Sequence, residues 1–141
     1  MAVRSITVGL DRWRRIPVRT VEDERGSLGI FEDDDLPFAL RRAYVMHGVP
    51  AGARRAGHAH RSLAQVLVAL SGAVDVVVDD GCRRETVTLD EPTCGLLIGP
   101  NVWRELGPFR PGTVCLVLAS APYDPADYIH GYDEFLAHVH P

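Results

Sequence analysis

The sequence has no basic excess: 15 Lys and Arg face 19 Asp and Glu, giving a formal net charge of -4. That balance argues against general nucleic-acid binding, because a phosphate-tracking protein presents a strong positive excess on one face. Cysteine is scarce. Cys82, Cys94 and Cys115 are odd in number, far apart and without CxxC spacing. Neither a disulfide framework nor a structural zinc site is indicated, and the three read as reduced, mostly buried thiols. No apolar run approaches the roughly 20 residues that cross a bilayer, and no signal-type apolar core opens the chain, so the expectation is a cytoplasmic protein with no membrane partner. Internal repeats and low-complexity linkers are also lacking.

What is present suits one compact domain over residues 1–141, since 46% of the residues are hydrophobic and 24% charged. From residue 42 onward, short runs rich in β-branched residues recur between Gly, Pro and Asp: "RAYVMHGV", "QVLVAL", "AVDVVVDD", "RETVTL", "GLLIG", "VWREL" and "TVCLVLAS". That spacing predicts an antiparallel sandwich or barrel, with "SGAV" and "DDGC" supplying hairpin turns. "EDDDLPF" reads as a solvated loop. Near the end, Asp124, Pro125 and Asp127 form a helix-start pattern, which predicts a packing helix with Tyr128, Tyr132, Phe135 and Val139 on one apolar face and a weak point at Gly131.

The chemistry-bearing stretch is "RRAGHAH", residues 54–60. On a strand, His58 and His60 share one face while Ala59 points away. The run from Gly52 through His58, His60 and Gln65 to Gly72 has the spacing of the first signature of the cupin superfamily, which implies an all-β, cupin-type double-sheet jelly roll with a short C-terminal helix. Metal-binding cupins add a Glu at the Gln65 position and a third His on a later hairpin. Here "GLLIGPNVWREL" offers Trp103 and Arg104 instead, and a permanent guanidinium cation repels a metal. Only His47 or His130 could complete a ligand set, so no metal and no cofactor are expected. Imidazoles that titrate near neutrality suit proton transfer instead.

Taken in order, "DERGSLGIFE", "LPFALRRAYVM", "GHAHRSLAQVLVALSG", "GLLIGPNVWREL" and "LVLASAPYDPADYIHGYDEF" resemble the nucleotide-sugar 3,4-ketoisomerases over roughly residues 20–136. The resemblance implies isomerisation of dTDP-4-keto-6-deoxyglucose to a dTDP-3-keto-6-deoxyhexose through an enediol, in deoxyamino-sugar biosynthesis. It assigns proton transfer to His58 and His60, with Tyr44 relaying a proton or hydrogen-bonding the enediolate. His60, deeper along the strand, is favoured for the carbon transfer, although either histidine could carry it. Arg25 and Arg55 are implied to grip pyrophosphate or sugar oxygens, Gln65 to orient the sugar or an imidazole, and Trp103 to pack beside the ligand. Arg25 and Arg104 occupy positions that bear on which face of C4 is protonated. Relatives read Arg-Gly-x-His-x-His where this chain reads Arg55-Ala56-Gly57-His58, so the glycine of the turn is shifted by one residue, which leaves the reach of Arg55 open. A homodimer is implied, with "RSITVGL" as an N-terminal strand needing cover. The rival readings are a metal-dependent cupin enzyme and a non-catalytic nucleotide-sugar binding module.

Overall fold

The β-rich patterning is realised as twelve strands in a computed structural model that describes residues 12–141. These are β1 (Trp13–Pro17), β2 (Arg19–Asp23), β3 (Gly26–Ile30), β4 (Arg42–Met46), β5 (Arg55–His60), β6 (Gln65–Ser71), β7 (Val74–Asp79), β8 (Arg84–Leu89), β9 (Cys94–Ile98), β10 (Trp103–Phe109), β11 (Val114–Ala119) and β12 (Tyr128–Ile129). They form two five-stranded antiparallel sheets, ordered β1-β9-β6-β11-β4 and β12-β5-β10-β7-β8, with β2 and β3 making a separate hairpin. This is the expected double-sheet jelly roll. The "RSITVGL" strand lies outside the described residues.

The core follows from period-two alternation. Inward positions such as Leu67, Ala69, Val76, Val78, Leu96, Leu106 and Val117 meet between the sheets as one buried cluster. Each sheet also has a covered outer face, which explains strands without clean alternation. Val66, Val68 and Leu97 are buried under Leu36 and Phe38, brought by the segment that follows β3. On the other side, Ala59, Trp103 and Ile129 are buried against Phe135 of the C-terminal helix α1 (Tyr132–Val139).

Several local expectations change. Strands β1, β2 and β3 were not evident from the pattern, because two of them make only a small exposed hairpin in which Val21 is 52% and Leu28 65% exposed. "GHAHRSLAQVLVAL" spans two strands, β5 and β6, that lie in opposite sheets. "SGAV" therefore carries the chain between sheets, whereas "DDGC" does close the β7–β8 hairpin. Gly72 has a φ of +69°, and a Cβ there would stand 2.6 Å from the Thr113 Cα, so the crossing needs glycine. Within "EDDDLPF", Asp33–Asp35 form a 3-10 turn, and Arg19 forks onto Asp35 at 2.8 and 2.9 Å.

The C-terminal helix is shorter than its start signals suggested. Asp124 does cap, accepting from Ala126 N, but only a 3-10 turn over Pro125–Asp127. The chain then pairs as β12 beside β5 before α1 begins after Gly131. Tyr128 is consequently a strand residue and leaves the helical face assigned to it. Of the cysteines only Cys115 is buried; Cys94 is half-buried and Cys82 exposed.

Candidate active site

A cavity of about 490 Å³ is lined by residues of the two sheets. Its walls come from both sheets. Arg42, Tyr44 and Met46 on β4, Gln65 and Leu67 on β6, and Val117 on β11 form one side; Arg55 and His58 on β5, Arg104 and Leu106 on β10, and Tyr128 and His130 form the other. These positions are inward because the register makes them so: Tyr44 pairs Val117, which pairs Leu67, while His58 pairs Arg104 and His60 pairs Tyr128.

A bulge sets the position of Arg55. Arg104 pairs His58 but Glu105 pairs Ala56, so Gly57 is an extra residue, with a φ of +94°. In a regular strand, residues three apart point to opposite faces; the extra residue restores Arg55 to the face of His58. Both line the cavity.

His58 borders the main cavity, whereas His60, 1% exposed, lies behind it against a narrow cleft that also touches Asp127 and Tyr128. This corrects the preference for His60 as the residue nearest the sugar carbon: depth along the strand removes it from the larger space. The two rings lie 4.9 Å apart and perpendicular, and Tyr128 sits 5.0 Å from His58 and 4.4 Å from His60. Asp127 Oδ2 is 3.2 Å from His60 Nδ1, and its carboxylate also accepts from Ser62 N, Ser62 Oγ and Leu63 N. Burial would raise the Asp127 pKa, but the Ser62 and Leu63 donors outweigh it and hold the carboxylate ionised.

Both imidazoles are kept neutral. Burial, with the Arg104 cation adding to it, lowers His58 to about 3 and His60 to about 4. An Asp127 carboxylate can only accept, so His60 carries its hydrogen on Nδ1 and leaves Nε2 as a lone-pair acceptor. That Nε2 is buried with no protein partner.

Arg104, 2% exposed, donates from Nη1 to Gln65 Oε1 at 2.6 Å and from Nη2 to the Val102 carbonyl at 3.0 Å. Burial lowers its pKa to about 10, which still leaves it charged at neutrality. Gln65 Nε2 in turn donates to Tyr44 Oη at 3.2 Å. The Tyr44 phenol is raised by burial above its usual value, against an opposing pull from the Gln65 hydrogen bond, and so is protonated at neutral pH. Arg42 lies over the Tyr44 ring at 4.7 Å and over Tyr123 at 5.5 Å, closing the mouth with a cation on two aromatic faces.

Two residues expected beside the ligand, Trp103 and Arg25, do not line this cavity. Trp103 precedes inward-facing Arg104 and therefore faces outward, buried against Phe135 with its indole donating to Glu105 at 2.8 Å. It is a framework residue. Arg25 sits at the exposed β2–β3 turn, forked onto Asp23 at 2.6 Å through Nη2, and does not line the cavity of its own chain. Conversely, Asp127, Tyr128 and Tyr123 stand beside the histidines without having been named as site residues, and His130, considered only as a metal ligand, lines the same cavity. Sequence held one usable signal for them, the length of "DPADYIHG" after the last long strand, which was read as helix.

The cupin fold raises the question of a metal. Here the inward donors are two imidazoles beside a buried guanidinium, and among the described residues no three His, Cys, Asp or Glu side chains are grouped to hold a cation. His130 reaches the cavity, but His47 is exposed and does not line it. The residues present do not fit a resident divalent ion. Among the described residues, no helix is long and apolar enough to cross a membrane.

The sequence and the coordinates agree in their relatives. The family model described as "FdtA: WxcM-like, C-terminal" matches residues 12–140. A TDP-4-oxo-6-deoxy-alpha-D-glucose-3,4-oxoisomerase from Aneurinibacillus thermoaerophilus is 42% identical over 125 residues, covering 88% of this chain and 90% of the relative. Among solved structures, a histidine variant of the 3,4-ketoisomerase QdtA from Thermoanaerobacterium thermosaccharolyticum, in complex with TDP-4-keto-6-deoxyglucose, superposes with a TM-score of 0.88 at 36% identity, covering 92% of this chain and 95% of that one. The WlaRB TDP-quinovose 3,4-ketoisomerase from Campylobacter jejuni gives 0.86 at 41% identity, covering 90% of this chain and 98% of its own.

Proposed function

Because the chain belongs to this FdtA-type family of sugar 3,4-ketoisomerases, we infer that it isomerises TDP-4-keto-6-deoxyglucose to the 3-keto sugar in deoxysugar biosynthesis. The observation that carries the reading at the level of chemistry is the opposition of His58 and Tyr44 across one cavity, a neutral base facing a neutral acid. The reaction needs no external electron carrier. A proton leaves C3 while O4 gains one, giving the enediol; O3 then loses its proton while C4 gains one.

His58 is assigned the carbon proton, since it borders the space where a sugar ring fits. His60, oriented by Asp127, exchanges protons with the enediol oxygens through its buried Nε2, and Tyr44 donates to the oxygen that becomes anionic. Arg55 and Arg42 hold the diphosphate at the mouth. Their placement concentrates positive charge in an acidic protein. Metal independence is supported by the donor set rather than by any ligand count: Arg104 stands where a further ligand would be needed.

The whole of residues 1–141 is taken as one cupin domain acting as a homodimer in the cytoplasm. The dimer reading is supported by the β2–β3 hairpin, which leaves Val21 and Leu28 exposed and holds Arg25 at its tip. A second copy covering this hairpin would bring Arg25 toward a neighbouring chain. Supply to a later aminotransferase, giving a deoxyamino sugar, is the metabolic reading.

The test is proton NMR of TDP-4-keto-6-deoxyglucose in deuterated water with wild-type protein, His58→Asn and His60→Asn. New 3-keto sugar signals that disappear in at least one variant are expected. An unchanged substrate spectrum with concentrated wild-type protein would overturn the assignment.

A further inference from the structure

The cupin signature reads Gln65 where a carboxylate is usual, and the structure places this residue between a cation and a phenol that come from different sheets. Arg104 on β10 possesses only donors, so the Gln65 atom 2.6 Å from its Nη1 must be the oxygen. The other end of the carboxamide is thereby the NH2, and it must donate to Tyr44 Oη. A phenol oxygen that already accepts from Gln65 has no reason to turn its own hydrogen that way. The remaining side of Tyr44 is the cavity.

We propose that Gln65 is a positioning residue: anchored by Arg104, it fixes the direction of the Tyr44 hydroxyl so that its hydrogen is presented to the substrate oxygen on which charge develops. The idea rests on the isomerase reading for its kinetic consequence, but the hydrogen-bond direction stands on geometry alone. It also explains why a carboxylate would not serve here. A Glu at 65 would keep the pairing with Arg104, yet it would accept from Tyr44 and turn the acid away from the cavity.

The Gln65→Glu and Gln65→Leu variants separate this role from a structural one. Glu preserves the Arg104 partner and is expected to leave the thermal midpoint at or above that of the wild type, while kcat falls about 100-fold with KM changed less than about threefold. Leu strands the Arg104 donor and lowers the midpoint, but leaves the Tyr44 hydroxyl free to turn, so its kcat should exceed that of Glu. A purely structural Gln65 predicts the reverse order. In a Tyr44→Phe background, Gln65→Glu should have little further effect on kcat.

A readout independent of turnover is the titration of Tyr44 followed by NMR of 13Cζ-labelled tyrosine, with assignment by Tyr44→Phe. The groups acting on this phenol are Gln65, Tyr128, Arg104 and Arg42. Gln65→Glu should move the Tyr44 midpoint upward, and further than Gln65→Leu does, because a donor to the phenolate is replaced by an acceptor from the phenol. Wild-type kcat in the Gln65→Glu variant, an equal loss in the Tyr44→Phe background, or an unmoved Tyr44 midpoint would each overturn the proposal. An inert wild type with the expected midpoint shift would remove the isomerase reading and leave the hydrogen-bond direction intact.

Discussion

Asp127 accepts from His60: the Oδ2 to Nδ1 separation is 3.2 Å, and the same carboxylate is fixed by Ser62 and Leu63 at the end of β5. The His60 imidazole is thus tied to the loop that leaves its own strand and to the turn before β12. The dyad determines which nitrogen of His60 is basic. Its integrity should matter to rate more than to binding.

Replacing Asp127 with Asn keeps the shape but places an NH2 among donors. Turnover of the keto sugar should fall at least tenfold, roughly the scale of losing one oriented proton-transfer group, with KM little changed. The amide oxygen can keep the Ser62 donors, but the NH2 then faces Leu63 N and His60 Nδ1, and losing those hydrogen bonds should also cost about 1–3 kcal/mol of stability. Steady-state kinetics and urea unfolding check both, and wild-type kcat in a folded variant would remove Asp127 from the site.

The histidine shifts predict an acid-sensitive fold. His58 and His60 titrate at about 3 and about 4 when folded, against 6.5 for an ordinary imidazole. The native state then binds fewer protons than the unfolded chain, so stability rises with pH over that interval. It is fully present above about pH 6.5 and is lost as pH falls toward the folded values. Urea midpoints should be lower at about pH 4.5 than at about pH 7, and a His58→Gln, His60→Gln double variant should lose less between the two. In the same range, wild-type kcat/KM should stay level to about pH 5 rather than fall near 6.5.

Gly57 carries a φ of +94° at the β5 bulge. A Gly57→Ala change forces a side chain into a conformation that costs about 1–3 kcal/mol, or it drives the bulge out and turns Arg55 away from the cavity. Thermal unfolding together with calorimetric titration of TDP distinguishes the routes. The first lowers the midpoint alone, the second weakens TDP as well, and an unchanged midpoint with unchanged TDP affinity would contradict the bulge.

Arg55→Gln should weaken TDP about tenfold or more, in line with about 1.5–3 kcal/mol for a hydrogen bond to a charged group, while leaving kcat at saturation largely intact. The effect should shrink at high salt. Equal TDP affinity for variant and wild type would place the diphosphate elsewhere.

Phe135 anchors α1 on the outer face of the sheet that carries β5, in a cluster with Ala59, Trp103 and Ile129. Phe135→Ala should cost about 3–5 kcal/mol. Because Ala59 lies between His58 and His60, this loss should loosen the histidine strand and lower kcat further than the drop in folded fraction explains, as measured by activity against circular dichroism.

Local sequence was legible wherever the chemistry of one strand decided the answer. The alternation in "GHAH" places His58 and His60 inward and Ala59 outward, as found. The β-branched runs mark seven of the strands, since each run is long enough to show its preference. For Trp103 the sequence left packing beside the ligand and a framework role equally open; adjacent strand residues face opposite sides, and Arg104 took the inward place. The "DPADYIHG" segment was misread because its cap signals are equally good for a single 3-10 turn, and only pairing with β5 decides that Tyr128 and Ile129 continue as strand.

Residue pattern alone determined an antiparallel sandwich or barrel and a pair of imidazoles on one face; the cupin resemblance narrowed the fold to a double-sheet jelly roll and marked Arg104 as standing at a ligand position. These follow from side-chain period and from fixed properties of the groups, which need no neighbours to be stated. Tertiary structure decided what those groups meet. Asp127 reaches His60 from 67 positions away along the chain, and Gln65 joins Arg104 and Tyr44 from 39 and 21 positions away. The low histidine values depend on burial and on the Arg104 charge, both consequences of closing one sheet over the other. Proton affinity is a property of surroundings, and the surroundings exist only once the two sheets are packed.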